Sequence, residues 1–230
     1  MTCPTALRNN IRTGNIKEVE RLLKGAPDAS RLINDDYAQD CILQSCTPSV
    51  GNAFYYSIWR CKPDIAELLL QYGADPHSTG LYDESALHLA ARCNQLQIIK
   101  LLLDNNADLW ATDDLGRTVL HSAARSPYNT TDVIYYLFDL MKDRENAIDT
   151  KDYSEKTPLH EATFRGTPSN VRALLQLGAD PHATCSRGST PLIFALQRRN
   201  AVAQEIQTIL VEFGIKDNSY CQNNHNSQSV

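Results

Sequence analysis

No apolar run in this chain approaches the length that crosses a bilayer, and no charged-then-apolar segment opens it, so the sequence predicts a soluble protein without membrane insertion. A Pro/Gly/Ser-rich linker is missing too. Although 230 residues could accommodate two domains, nothing divides them, and one continuous body is expected. Basic residues are not in excess: 22 Lys and Arg stand against 27 Asp and Glu, a net charge of −5, which argues against nucleic acid as a partner. Catalytic motifs are absent as well. There is no G-x-x-x-x-G-K phosphate loop, no G-x-S-x-G elbow, and no strand followed by G-x-G-x-x-G. His160-Glu161 opens like a metalloprotease helix, but Phe164 stands where the second histidine is required. The seven cysteines are odd in number and out of step with one another, which favours a reducing compartment, the cytoplasm or also the nucleus. Cys41 and Cys46 form a C-x4-C pair with no second pair nearby, a poor zinc motif. The expectation is therefore no catalytic residue, no cofactor and no metal.

What the chain does contain is one phrase written repeatedly. Ser85-Ala86-Leu87-His88, Thr118-Val119-Leu120-His121 and Thr157-Pro158-Leu159-His160 are followed by Thr190-Pro191-Leu192-Ile193. From Tyr55, at the histidine position of an earlier copy, to His88 is 33 residues; the next intervals are 33, 39 and 33. A second landmark keeps the same register: Gly73-Ala74-Asp75, Asn106-Ala107-Asp108 and Gly178-Ala179-Asp180, with Gly214 closing the last copy. Between landmarks each unit reads as two helices. Ala86 to Cys93 is short and Ala-rich, and Leu96, Ile98, Ile99, Leu101, Leu102 and Leu103 supply a longer apolar stripe that needs a neighbour to cover it. A fixed period of this length specifies a stack of supersecondary units.

The T-P-L-H-x-A opening, the leucine pair and the G-A-D turn resemble ankyrin repeats over about residues 2 to 216, most closely from 63 to 214. The resemblance implies an all-α solenoid of stacked helix-turn-helix units with projecting turns or β-hairpins. Its units fall at about 2–34 (a terminal cap without the opening motif), 46–78, 79–111, 112–150, 151–183 and 184–216. An irregular insertion occupies about 35–50, and a polar tail at 217–230 is expected to be disordered. The 39-residue interval holds six extra residues, two in 126–131 and four near 139–146, at places where insertions map to loops. Equivalent histidines in successive layers, about 8–10 Å apart, cannot share a metal whose ligands sit about 2 Å away, so they are expected to tie turn to helix or unit to unit. The resemblance also implies that turn histidines such as His77 and His182 are candidates for hydroxylation, each with a leucine eight residues earlier.

In ankyrin arrays the short first helices and the turn tips line a concave groove. Carried onto this sequence, that places Trp59 and Arg60, Arg92, Arg125, Phe164 and Arg165, and Arg198 in the groove, one arginine per layer, with Tyr82, Leu115 and Tyr153 at the tips. The implied activity is non-enzymatic binding of another protein by a monomeric adaptor, scaffold or inhibitor, with an unusual enzyme built from unrecognised parts as the outlying alternative. An arginine track would suit an acidic or phosphorylated segment, or another polyanion.

Overall fold

The computed structural model describes residues 4–35, 51–198 and 200–214; the Cys41/Cys46 pair, most of the insertion and the polar tail lie outside them. Thirteen α-helices occur among the described residues: α1 Pro4–Thr13, α2 Ile16–Lys24, α3 Ala29–Asn34, α4 Ala53–Trp59, α5 Pro63–Gln71, α6 Ala86–Arg92, α7 Leu96–Asp104, α8 Val119–Ala124, α9 Thr131–Met141, α10 Pro158–Arg165, α11 Pro168–Gln176, α12 Pro191–Gln197 and α13 Ala201–Glu212. The short inner helices stack in order, α1, α4, α6, α8, α10 and α12, and each turns back into a partner outside it. There are no strands among the described residues; the turns carry only isolated bridges, Thr79 with Ser85 and Thr112 with Thr118.

The repeated phrase has a plain physical meaning. A helix start leaves backbone N–H groups without partners, and Thr118 and Thr157 answer this by capping boxes in which the histidine three residues on reaches back to the cap N–H. Proline at the first helical position of α10 and α12 costs no hydrogen bond. The following alanines are fully buried, which lets inner helices approach closely. In the earlier unit Asn52 replaces the hydroxyl, its Oδ1 accepting the Tyr55 N–H at 2.9 Å.

Each repeat histidine also bridges to the next unit. Nε2 of His88, His121 and His160 lies 2.9, 3.0 and 3.0 Å from the carbonyls of Arg117, Lys156 and Ser189. A carbonyl only accepts, so Nε2 carries the proton and Nδ1 accepts: from the Ser85 hydroxyl at 2.7 Å, and from the Thr118 and Thr157 N–H groups at 3.2 and 3.1 Å. Burial holds all three imidazoles below their ordinary pKa of 6.5, against the pull of the accepting carbonyls. The folded array thus keeps them neutral, while the unfolded chain takes up protons as pH falls through 6.5. Stability is complete above that pH and declines below it until the lower folded values are reached. A urea titration is expected to give a lower unfolding midpoint at about pH 5 than at about pH 8, and an unchanged midpoint would contradict this account.

The G-A-D landmark is equally specific. Gly73, Asn106 and Gly178 take positive φ (87°, 63° and 91°) to end the outer helices. Oδ1 of Asp75, Asp108 and Asp180 then accepts the N–H two residues on, at 2.9, 2.8 and 2.8 Å. Two of these turns are clamped from the preceding unit. Asn34, at the end of α3, donates to the Gly73 carbonyl and accepts from Asp75 N–H, both at 2.9 Å. Asp149 accepts the Asp180 N–H at 3.1 Å. Two helices are expected in the terminal cap; α3 is a third, and it supplies the Asn34 clamp. The first of the two insertions is not a slack loop. Asn170, fully buried, accepts from Thr130 N–H at 2.9 Å and donates to the Tyr128 carbonyl at 3.1 Å, while the Ser126 hydroxyl donates to the Arg92 carbonyl at 2.6 Å.

Candidate interaction groove

The turns between units are held rigid by their own acids. Asp113 Oδ1 accepts the N–H groups of Leu115 and Arg117 at 3.0 and 2.9 Å, and Asp152 Oδ1 those of Ser154 and Lys156 at 2.8 and 2.9 Å. Successive tips are then joined backbone to backbone: Asp114 N–H to the Tyr82 carbonyl, Tyr153 N–H to that of Leu115, and Ser186 N–H to that of Ser154, at 2.9, 2.9 and 3.0 Å. This ladder holds Tyr82, Leu115 and Tyr153 in a row of apolar side chains that are 68, 51 and 77% exposed. Gly116, at φ +74°, makes room for the Tyr153 ring; a Cβ there would stand 2.5 Å from it.

Beside the tips lies a cleft of about 450 Å³. Leu81, Tyr82 and Leu115 form its apolar side. Arg92, Arg117, Arg125 and Arg165 line the rest with Glu84. Three of the five arginines in the expected track therefore converge here. Arg60 and Arg198 do not: the Arg60 guanidinium lies 5.5 Å from the Trp59 ring, and Arg198 donates to the Gly166 carbonyl at 2.7 Å, closing the end of α10. Trp59 is half-buried, 5.7 Å from Tyr56. Phe164 is half-buried as well, edge-on to Phe194 at 5.7 Å.

The cleft arginines are not equivalent. Arg92 is bidentate on Glu84, Nε and Nη2 each 2.9 Å from a carboxylate oxygen. Tyr55, where the other units have histidine, donates its hydroxyl to the same carboxylate at 2.9 Å. Burial and the Glu84 charge push the Tyr55 phenol well above its ordinary range, so it stays a donor. Arg117 is held by Asp113 through Nε at 2.7 Å. Arg125 lies 4.0 Å from Glu161, a buried carboxylate also 3.6 Å from Lys156. Arg165 is exposed, lies 5.2 Å from the Phe164 ring, and makes no ion pair among the described residues. The repeat register marks where Arg92, Arg125 and Arg165 stand; it carries no trace of Arg117, Lys156 or the Tyr55–Glu84 contact, because those partners sit at positions the repeat leaves variable.

No group of His, Cys, Asp or Glu among the described residues could hold a metal ion, and no helix among them is long and apolar enough to cross a membrane. His77 and His182 are exposed at their turns. Cys93, half-buried beside Arg92, has its thiol pushed up to about 11 by burial, the opposite of an activated nucleophile.

These features define a stacked helical-hairpin protein that presents a continuous surface of tips and groove. The family model for ankyrin repeats (3 copies) matches residues 54–145 and 87–185, and the chain belongs to the ankyrin repeat family. It is similar to dog inversin, 30% identical over 149 residues that cover 64% of this chain and 13% of inversin. It is also similar to zebrafish neurogenic locus notch homolog protein 1, 32% identical over 61% of this chain and 6% of that protein. A fowlpox virus (strain NVSL) protein named as an ankyrin repeat protein, FPV022, is 28% identical over 91% of this chain and 31% of its own length. The matched stretch is thus less than a third of each of these relatives. Ankyrin repeats are protein–protein interaction modules, and the helical solenoid described above is their architecture.

Proposed function

We propose that this chain is a non-enzymatic binding module, an adaptor, scaffold or inhibitor, that holds a partner protein along the concave groove and turn tips. The supporting observation is the cleft, in which three exposed apolar side chains on a hydrogen-bonded ladder of tips stand beside arginines of three layers. Apolar anchors next to guanidinium groups are the composition in which binding energy concentrates. Phe164 and Arg198 contribute by joining adjacent layers, Trp59 and Arg60 extend the groove at its other end, and Tyr153 extends the row of tips. A second reading, recognition of a phosphorylated or other polyanionic ligand by the arginines, draws on Arg165 lacking an ion pair among the described residues. The proposal for location is the cytoplasm or the nucleus, and for assembly state a monomer.

The test is affinity capture from the native cell with the wild-type chain and with Tyr82→Ala/Leu115→Ala. Both side chains are exposed, so the variant is expected to fold and to lose its captured proteins by roughly tenfold. Capture unchanged by the double substitution would sink the groove reading. Washing in high salt separates the two readings: a partner held by apolar tips persists, whereas one held by the arginines alone elutes.

A further inference from the structure

Resting on that protein-binding reading and narrowing it, we infer that the cleft takes an extended peptide segment bearing a single carboxylate. Arg165 and Arg125 receive the carboxylate, and an apolar side chain of the segment seats on Tyr82 and Leu115. Two of the four guanidinium groups that line the cleft are already neutralised by acids of the fold. Arg92 cannot turn to a ligand without abandoning Glu84, a carboxylate that two guanidinium nitrogens and the Tyr55 hydroxyl hold at 2.9 Å. Leaving a mostly buried acid without its partner is costly, so Arg92 is a fixed wall of the cleft. Arg117 is fixed in the same way by Asp113, which is itself buried.

The other two differ. Arg125 sits at the outer limit of an ion pair, 4.0 Å from Glu161, and shares that acid with Lys156. Arg165 has no acidic neighbour within ion-pairing distance among the described residues, and its guanidinium is 5.2 Å from the Phe164 ring. A guanidinium stacked on an aromatic face keeps its N–H edge available for a carboxylate. One whole positive charge and part of a second match one carboxylate; a phosphate, near −2 and with three acceptor oxygens, calls for more unspent donors than the cleft retains. The apolar half of the site is fixed independently, since the Asp114 N–H bond to the Tyr82 carbonyl sets Leu115 and Tyr82 side by side.

The experiment pans a random dodecapeptide phage library on the purified chain and measures the enriched peptides, synthesised with a fluorophore, by anisotropy. Enriched peptides are expected to carry Asp or Glu at a constant spacing from a large apolar residue. Arg165→Ala should weaken binding by roughly tenfold and Arg125→Ala by a smaller factor. The pair Arg92→Gln with Glu84→Gln, which removes the ion pair without stranding a buried charge, should change affinity by less than about threefold. Enriched peptides without an acidic residue, or an equal loss in the Arg92/Glu84 double variant and Arg165→Ala, would overturn the assignment. So would a peptide that binds roughly tenfold tighter when phosphoserine replaces its acidic residue. Hydrogen exchange of the complex tells this failure from failure of the broader reading: protection within 81–92, 115–125 and 165 without acid preference defeats the carboxylate alone, whereas protection elsewhere defeats both.

Discussion

Replacing Gly166 with alanine is expected to destabilise the array by about 3 kcal/mol, although only one methyl group is added. Gly166 ends α10 at φ −75°, a conformation open to any residue, so backbone preference is not the reason for glycine. Space is. A Cβ at this position would stand 2.2 Å from the carbonyl oxygen of Ala124 in the layer beneath, and 2.9 Å from the Cα and carbonyl oxygen of Ala162. All three obstacles are backbone atoms, which cannot rotate aside as a side chain would. Relief requires α8 and α10 to part, and both helices carry fully buried Leu, His and Ala side chains whose packing the separation would loosen. The Gly166 carbonyl also accepts from Arg198 of the next layer at 2.7 Å, so the displacement spreads. Gly178→Ala is the control: its φ of +91° makes alanine strained, but nothing lies within 4 Å of the new Cβ, and about 1 kcal/mol is expected. Urea unfolding followed by circular dichroism measures both. A loss at Gly166 no larger than at Gly178 would show that the two layers are not in the contact described.

The contrast between those glycines shows what the sequence discloses. Gly178 belongs to the G-A-D landmark, recurs in register, and has a local cause, a helix end that needs positive φ. Gly166 recurs nowhere, and its cause is an atom 42 residues earlier in the chain. The same division holds for the groove. Five arginines could be placed by counting from the opening motif, because a period fixes position. Which of them remain unpaired could not be counted, because pairing depends on Glu84 and Glu161, at places the repeat does not constrain. Helix α3 escaped for a different reason: six residues, A-S-R-L-I-N, are too short for a helical period to show. Tyr55 marks the limit most clearly. Its place in the register says that it substitutes for a bridging histidine, and the structure shows a bridge to the next unit, but to a side chain, Glu84, that then fixes Arg92.

His121→Ala is expected to cost about 3–5 kcal/mol, among the largest losses available in this chain, and to change the form of unfolding as well as its midpoint. The imidazole is fully buried between the third and fourth inner helices of the regular stack. Without it the Thr118 N–H and the Lys156 carbonyl lose the partners they have at 3.2 and 3.0 Å, in a place where water does not replace them. A cavity the size of the ring adds to the loss. Because units contact only their neighbours, a damaged interface weakens coupling at one point of a linear array, and residues on its two sides gain the freedom to unfold separately. Denaturant titration should therefore show one transition in the wild type and a broadened or split one in His121→Ala. The damage also reaches the binding surface: Lys156, whose carbonyl the histidine holds, shares Glu161 with Arg125, and Leu115 and Arg117 sit on the tip just before Thr118. Peptide binding should fall in this variant even under conditions where α4 to α7 remain folded. A single sharp transition with a loss below about 1 kcal/mol would mean that His121 only fills space and does not join the units.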